Sequence, residues 1–461
     1  MHPRLPFRSS VLIACRGEFR LQKSVSIAVL LVFSGAGMLV AQTMSDQDAK
    51  VHLNQIQVIG SHNSYNLGFA PSEEKFARGH NPREYDALEY RHATLTAQLN
   101  GGVRQLEIDI VQDPQGGRFA HPKIVALTKQ AGLPPDPDFD PNHEMDKPGF
   151  KVIHIPDLNQ RSSCLLFTDC LKEIRAWSKS HPGHVPLFLL IETKHGRTAS
   201  IPEGVEAETF ASETFDALDK EIRSVFADGE MILPDKVRGN YPTLEAAVRA
   251  GHWPTLAESR GKVIFLLDQK NAGPVYTVGH PLLQGRVLFT NSDPGKPDAA
   301  FVEENEGSPQ LIDQLVRQGY IVRARADEST IAARTNDTTR RDALLHSGAQ
   351  MISTDYPLSE PSKWTGYSVG FADGLPARCN IVNAPPGCES SLLEPKAKSG
   401  GVPSPKNHPA ITQQSKIGQR APETGEQLAG LSLGGVSCGQ QYAPVGYSSV
   451  DNSDRNILAT P

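Results

Sequence analysis

Apolar residues in this chain fall into short runs set apart by long polar stretches. Eight such runs, rich in β-branched residues, lie at 55–60, 104–111, 151–155, 187–193, 262–268, 286–290, 320–324 and 349–354. None sustains a strict polar–apolar alternation, so each fits a strand covered on both faces, as in a parallel sheet. Helical spacing fills several of the gaps. Leu95 and Leu99 sit four apart ahead of Gly101-Gly102, and Leu171, Ile174 and Trp177 share a face before His181-Pro182. Leu218, Ile222 and Phe226 repeat at four, and Leu311 and Leu315 precede Gly319. Glycine just past the last periodic residue is a helix stop. Eight strands alternating with helices predict an α/β fold, a TIM-type (β/α)8 barrel. An open doubly wound sheet is the alternative, but no G-x-G-x-x-G or Walker-type loop follows the first strand. Two polar stretches, 66–91 and 112–149, interrupt the alternation. They are expected to be long loops forming a rim or lid at the site end of the barrel.

The two ends of the chain differ from its middle. Arg8, Arg16, Arg20 and Lys23 precede an apolar run at 26–40, and the small Ala41 follows. The run is short for a membrane span and carries Ser34, Gly35 and Gly37, so residues 1–41 are expected to be a cleaved signal peptide. The protein is then exported, secreted or periplasmic, where disulfides are permitted. Of the six cysteines, Cys15 leaves with the signal. Cys164 and Cys170 are close enough to bond, as are Cys379 and Cys388, and Cys438 is left over. No C-x-x-C spacing suggests a metal site. Residues 42–388 are expected to form the barrel. From 389 to 461 Pro, Gly, Ser and Gln dominate, which predicts a disordered tail. A formal net charge of −6 shows no basic footprint for nucleic acid and no polybasic anchor. A monomer is expected.

Candidate chemistry collects at the ends of the predicted strands, where α/β barrels place their sites. The first apolar run stops at Gly60, and His62 and Asn63 follow at once. Both can face one site only if the backbone turns, which Gly60 allows. In the second run Glu107 and Asp109 share a face, with Leu106, Ile108 and Ile110 on the other. Two confined acids resist ionisation unless a proton or cation joins them, and a hard cation with oxygen ligands is the simplest solution. Glu192 and Lys194 share a face at the end of the fourth run. They form either a structural ion pair or a metal ligand beside an anion-binding lysine. Acids at the same barrel mouth favour the second. His154 ends the third run, opposite His62, as a general acid–base pair requires. His121 in the long loop competes for that role, while His181 and His184 suit helix capping. Arg323 and Arg325 end the seventh run and could meet a phosphate. Asp355 ends the eighth. All three could equally be ion-pair partners. Asn63, Glu107, Asp109 and Glu192 thus make an oxygen-ligand set between two histidines and a lysine, which suits phosphodiester cleavage.

The order Gly-Ser-His-Asn-Ser-Tyr, Leu-Glu-Ile-Asp, Val-Ile-His and Leu-Ile-Glu-Thr-Lys resembles the calcium-dependent phosphatidylinositol-specific phospholipase C family, in its bacterial and fungal single-domain branch. The resemblance runs from residue 55 to 356. It implies a TIM-type barrel that cuts between phosphate and diacylglycerol, using the inositol 2-hydroxyl as internal nucleophile and forming a cyclic inositol phosphate. It implies catalytic His62 and His154, Ca2+ on Asn63, Glu107, Asp109 and Glu192, and Lys194 near the substrate phosphate. His154 is expected to protonate the leaving glyceride oxygen. His62 is expected to stabilise the phosphorane or assist deprotonation. The partners implied are an inositol phospholipid and, transiently, the membrane surface that holds it. No PH, EF-hand or C2 module is visible, so membrane attachment is expected to be weaker than in signalling relatives. Two alternatives remain. A glycerophosphodiester phosphodiesterase has a similar Glu-x-Asp barrel but carries His-Arg-Gly where this chain reads His-Asn-Ser. A non-catalytic phosphoinositide-binding barrel would leave both histidines dispensable.

Overall fold

The apolar runs become the staves of a barrel. The computed structural model describes residues 44–201 and 203–394. Its strands are β1 (Ile56–Ser61), β2 (Gln105–Val111), β3 (Lys151–Val152), β4 (Leu187–Thr193), β5 (Met231–Ile232), β6 (Val263–Leu267), β7 (Leu288–Thr290), β8 (Phe301–Glu303), β9 (Ile321–Arg325), β10 (Met351–Thr354) and β11 (Ala377–Cys379). Parallel pairing runs β1–β2–β4–β6–β7 in one direction and β1–β10–β9–β8 in the other. A parallel bridge between Asn291 and Phe301 closes β7 onto β8. The result is an eight-staved TIM-type barrel. Leu106, Ile108 and Ile110 of β2 are buried in one core with Leu171, Ile174 and Trp177 of the helix Phe167–Ser180. Burying such side chains stabilises by roughly 1.5–3 kcal/mol each.

Three expectations need correction. The run at 151–155 is not a stave. Only Lys151 and Val152 are strand, and they pair antiparallel with the far end of β2. Pro156 and the left-handed Asp157 (φ 67°) then turn the chain back, with Ile155 bridged to Asn159. The eighth stave is instead β8, whose three residues are too few to show periodicity, and no helix separates it from β7. Second, the stretches 66–91 and 112–149 are not simply loops. They carry the helices Pro71–His80, Pro82–Leu88 and Lys123–Gln130. Phe69, Phe76, Leu88 and Leu127 pack there on buried Ile124, Leu158 and Ile201 as a small core apart from the barrel. Third, on the helix Pro309–Arg317 the buried face is Ile312, Leu315 and Val316, and Leu311 is exposed.

Cys164–Cys170 and Cys379–Cys388 are both disulfides. The folded region continues past Cys388. Leu393 is buried, and Glu394 accepts hydrogen bonds from Arg104 Nε (3.0 Å) and the Val185 N–H (3.0 Å). The expected signal peptide, Cys15, Cys438 and the rest of the expected tail lie outside the described residues. Among those described, no helix is long and apolar enough to cross a membrane.

Candidate active site

Strand register assembles the acids. Glu107 and Asp109 lie two apart on β2, and Asp109 is the direct partner of Glu192 on β4. Neighbouring strands are about 4.8 Å apart. One oxygen from each of Glu107, Asp109 and Glu192 falls within 4.8 Å of the others. Glu107 and Asp109 are buried, at 3% and 0% exposure. Burial pushes the Glu107 carboxyl up to about 7, against the pull of Arg323 and Arg325. Burial also raises Asp109 well above its ordinary value, against the pull of Lys194.

The turn after β1 brings in His62 and Asn63, though not through Gly60. Gly60 is paired on both sides within β1. A Cβ there would fall 1.7 Å from Gln105 Oε1, so glycine is needed for close approach. The turn is made by Asn63 itself, at φ 46°. The Ser64 N–H donates to the Glu107 carbonyl (3.0 Å), and the Glu107 N–H donates to Ser64 Oγ (2.8 Å), which ties the turn to β2. The buried Asn63 amide lies between Asp109 and Tyr90. One of its terminal atoms lies 2.9 and 3.1 Å from the two Asp109 carboxylate oxygens, and as nitrogen it donates to both. If that atom is oxygen, it joins the three carboxylates in a cluster of acceptors that a cation satisfies.

His62 Nδ1 lies 2.7 Å from Asp355 Oδ1, and its Nε2 lies 3.5 Å from Glu107 Oε1. Burial lowers the His62 pKa well below the imidazole range, and Arg325, Arg323 and Lys194 add to the effect. His154 is held low chiefly by burial, with Lys194 and His62 contributing. Both rings are therefore neutral at pH 7. With the Asn63 amide nitrogen toward Asp109, His154 Nε2 lies 3.1 Å from the amide oxygen, and His154 Nδ1 is buried without a partner. His154 thus reaches the site from the arm that β3 begins. His121 is exposed on the turn before the helix Lys123–Gln130. His181 does cap a helix, its Nδ1 donating to the Trp177 carbonyl (2.8 Å).

Lys194 Nζ bridges Glu192 (2.6 Å) and Asp109 (3.1 Å) and is a quarter exposed. Those two acids raise its pKa in spite of burial. Arg323 takes the second of its two expected roles, as an ion-pair partner. It is 2% exposed, and its guanidinium engages Glu107, Glu303 and Asn305. Arg325 likewise donates to Asp355 (3.3 Å).

Sequence reasoning missed Tyr90, His92, Asp268 and Glu303. Tyr90 OH contacts Asn63 at 2.7 Å, and its ring lies 5.8 Å from His62. His92 Nε2 donates to the His62 carbonyl (2.9 Å), and its Nδ1 lies 2.6 Å from Glu360. The dense Glu89-Tyr-Arg-His92 cluster in a polar stretch was the available signal. The Asp268 carboxyl is raised by burial and by Glu303, with Glu192 and Glu107 adding to the effect.

Oxygen donors that crowd without full ionisation fit a hard cation such as Ca2+. A family model for Ca2+-dependent phosphoinositide phospholipase C matches residues 51–381. No curated protein matches the chain. Among solved structures, a calcium-dependent phosphoinositol-specific phospholipase C from a Pseudomonas species is 14% identical, with a TM-score of 0.44 over 72% of this chain and 96% of that one. A Ca2+-dependent phosphatidylinositol-specific phospholipase C from Streptomyces antibioticus is 18% identical, with a TM-score of 0.40 over 67% and 96%. The phosphatidylinositol-specific phospholipase C from Listeria monocytogenes is 12% identical, with a TM-score of 0.36 over 68% and 92%. The family match spans most of the chain, so this protein belongs to the Ca2+-dependent phosphoinositide phospholipase C family. Membership carries phospholipase C activity and Ca2+ as its cofactor.

Proposed function

We propose that this protein cleaves phosphatidylinositol, or a closely related inositol phospholipid, to diacylglycerol and a cyclic inositol phosphate at a membrane surface. One observation carries the assignment: three carboxylates within 4.8 Å of one another lie beside two half-buried neutral imidazoles. Asn63, Glu107, Asp109 and Glu192 would hold Ca2+. Bound there, Ca2+ would supply positive charge to the phosphate and acidify the inositol 2-hydroxyl.

The remaining chemistry belongs to the chain. Asp355 accepts the Nδ1 proton of His62 and leaves Nε2 with a lone pair directed into the site. His62 Nε2 takes the 2-hydroxyl proton as that oxygen attacks phosphorus. His154 gives a proton to the departing glyceride oxygen. Its pKa is low in the free protein, and the anionic phosphodiester raises it on binding, so the acid is charged when it is needed. Lys194 meets the phosphate oxygens. Arg323 holds Glu107 in place, and His92 holds the His62 backbone. The two disulfides suit an oxidising compartment, in keeping with export.

The test is incubation of the purified protein with phosphatidylinositol vesicles, with and without a calcium chelator, and identification of products by phosphorus NMR. Cyclic inositol phosphate that disappears with chelator is expected. Phosphatidylinositol left intact at saturating Ca2+ would refute the assignment.

A further inference from the structure

The small core in the inserted segments surrounds a cavity of about 390 Å³, within the range of small-molecule sites. Its walls are Phe69, Phe76, Leu88, Leu127, Leu158 and Ile201. These six apolar side chains stand beside His80, Tyr85, Lys123 and Glu203, and the rest of the polar lining is paired with itself. Ser200 Oγ donates to Glu84 Oε1 (2.9 Å), and Asn81 Nδ2 donates to Glu84 Oε2 (3.0 Å). An apolar guest therefore gains more here than a polar one.

The cavity adjoins the candidate active site. Phe69, Tyr85 and Leu88 also line a second cleft, whose wall includes Tyr90. Tyr90 in turn contacts Asn63. Leu158 lies one short turn beyond His154, and the Ile155 N–H donates to the Asn159 carbonyl (3.1 Å) to close that turn. The cavity thus lies on the side of the imidazole assigned to the leaving glyceride.

We propose that this cavity takes one aliphatic chain of the phospholipid, drawn out of the bilayer beside the bond to be cut. The proposal builds on the phospholipase assignment above, and its test separates the two. The full-length protein is titrated with monomeric octyl- and decylphosphocholine below their micelle concentrations, by calorimetry. Both carry the same phosphocholine headgroup and no inositol, so the difference between them reports the chain. Affinity is expected to rise about tenfold from octyl to decyl, since each buried methylene adds roughly fourfold at most. Leu127→Trp, which fills the cavity, is expected to weaken decyl binding at least tenfold. His62→Ala is expected to bind like the parent. Leu127→Gln, which puts an amide on the wall, is expected to weaken binding as well and covers the case in which the tryptophan variant does not fold. Equal affinity for both chains, or undiminished binding by a folded Leu127 variant, would overturn the proposal. So would concentration-dependent dimerisation lost in Leu127→Trp without any chain binding, which would assign the cavity to a second copy. If the chain binds as expected but no inositol phosphate forms, the phospholipase assignment fails and the cavity's ligand class stands.

Discussion

Replacing Asp355 by Asn tests the orientation of His62. The carboxylate lies 2.7 Å from His62 Nδ1 and is 2% exposed. A buried hydrogen bond to a charged group contributes about 1.5–3 kcal/mol. At about 1.4 kcal/mol per decade, its loss from the transition state lowers kcat/KM by roughly 10- to 150-fold. Asparagine can also offer its own N–H to Nδ1 and so favour the wrong tautomer, which pushes the loss toward the upper figure. The assay is initial velocity on monomeric short-chain phosphatidylinositol at saturating Ca2+, paired with a melting curve. Arg325 also leans on Asp355, at 3.3 Å, so some loss of stability accompanies the change. The His62→Ala/Asp355→Asn double variant separates the two effects. If Asp355 acts through His62, the double variant is no slower than His62→Ala alone. An Asp355→Asn enzyme within threefold of the parent, or a double variant with fully additive losses, would refute the orienting role.

Other expectations follow from buried charges. Glu107→Gln removes a proposed Ca2+ ligand and leaves Arg323 short of a partner. The Ca2+ concentration for half-maximal activity should rise by more than the ~10–100-fold that outer-shell partners are worth, as measured in Ca2+-buffered assays. His184 is buried, and burial lowers its pKa to about 4. The unfolded chain, with an imidazole near 6.5, binds the extra proton between those values, so stability falls as pH drops from about 6.5 to about 4, by about 3 kcal/mol. His62 and His154 act in the same direction, so the check is that His184→Gln loses less melting temperature than the parent between pH 7 and 4.5. Glu394→Gln breaks the buried pair with Arg104, whose guanidinium also lies 4.8 Å from the Trp177 ring. Its urea midpoint should fall by the equivalent of about 3 kcal/mol with an unchanged slope.

The sequence showed what short-range physics controls and concealed what depends on neighbours. Glu107 and Asp109 were legible because period two is intrinsic to a strand, and Glu192 because an acid ending the run Leu187-Phe-Leu-Leu-Ile must have a partner. His62 and Asn63 were legible as polar residues at a strand's end, but the turn was credited to Gly60 although Asn63 makes it. An asparagine tolerates a left-handed backbone, so the cue was present and overlooked. His154 was found for partly the wrong reason. Its apolar run resembles a stave, and only Pro156 and Asp157 show that it breaks after Val152. β8 escaped because three residues carry no period, and Glu303 escaped with it. Arg323 could not be decided between phosphate and ion pair because nothing local reveals that Glu303, on the next strand, already holds it.

The two imidazoles stand on separate pieces of architecture. His62 rises from the barrel wall, while His154 rides on an appended arm that pairs with β2 through two residues and meets the turn after β1 where the Leu67 and Ser163 N–H groups donate across the junction, to the Arg161 and Tyr65 carbonyls. Segments with short ladders open locally at less free energy than global unfolding requires. Mild urea should therefore silence turnover while the barrel's circular dichroism is still intact. On the proposed mechanism, variation in the arm retunes the acid that serves the departing group and leaves the base on the barrel wall untouched.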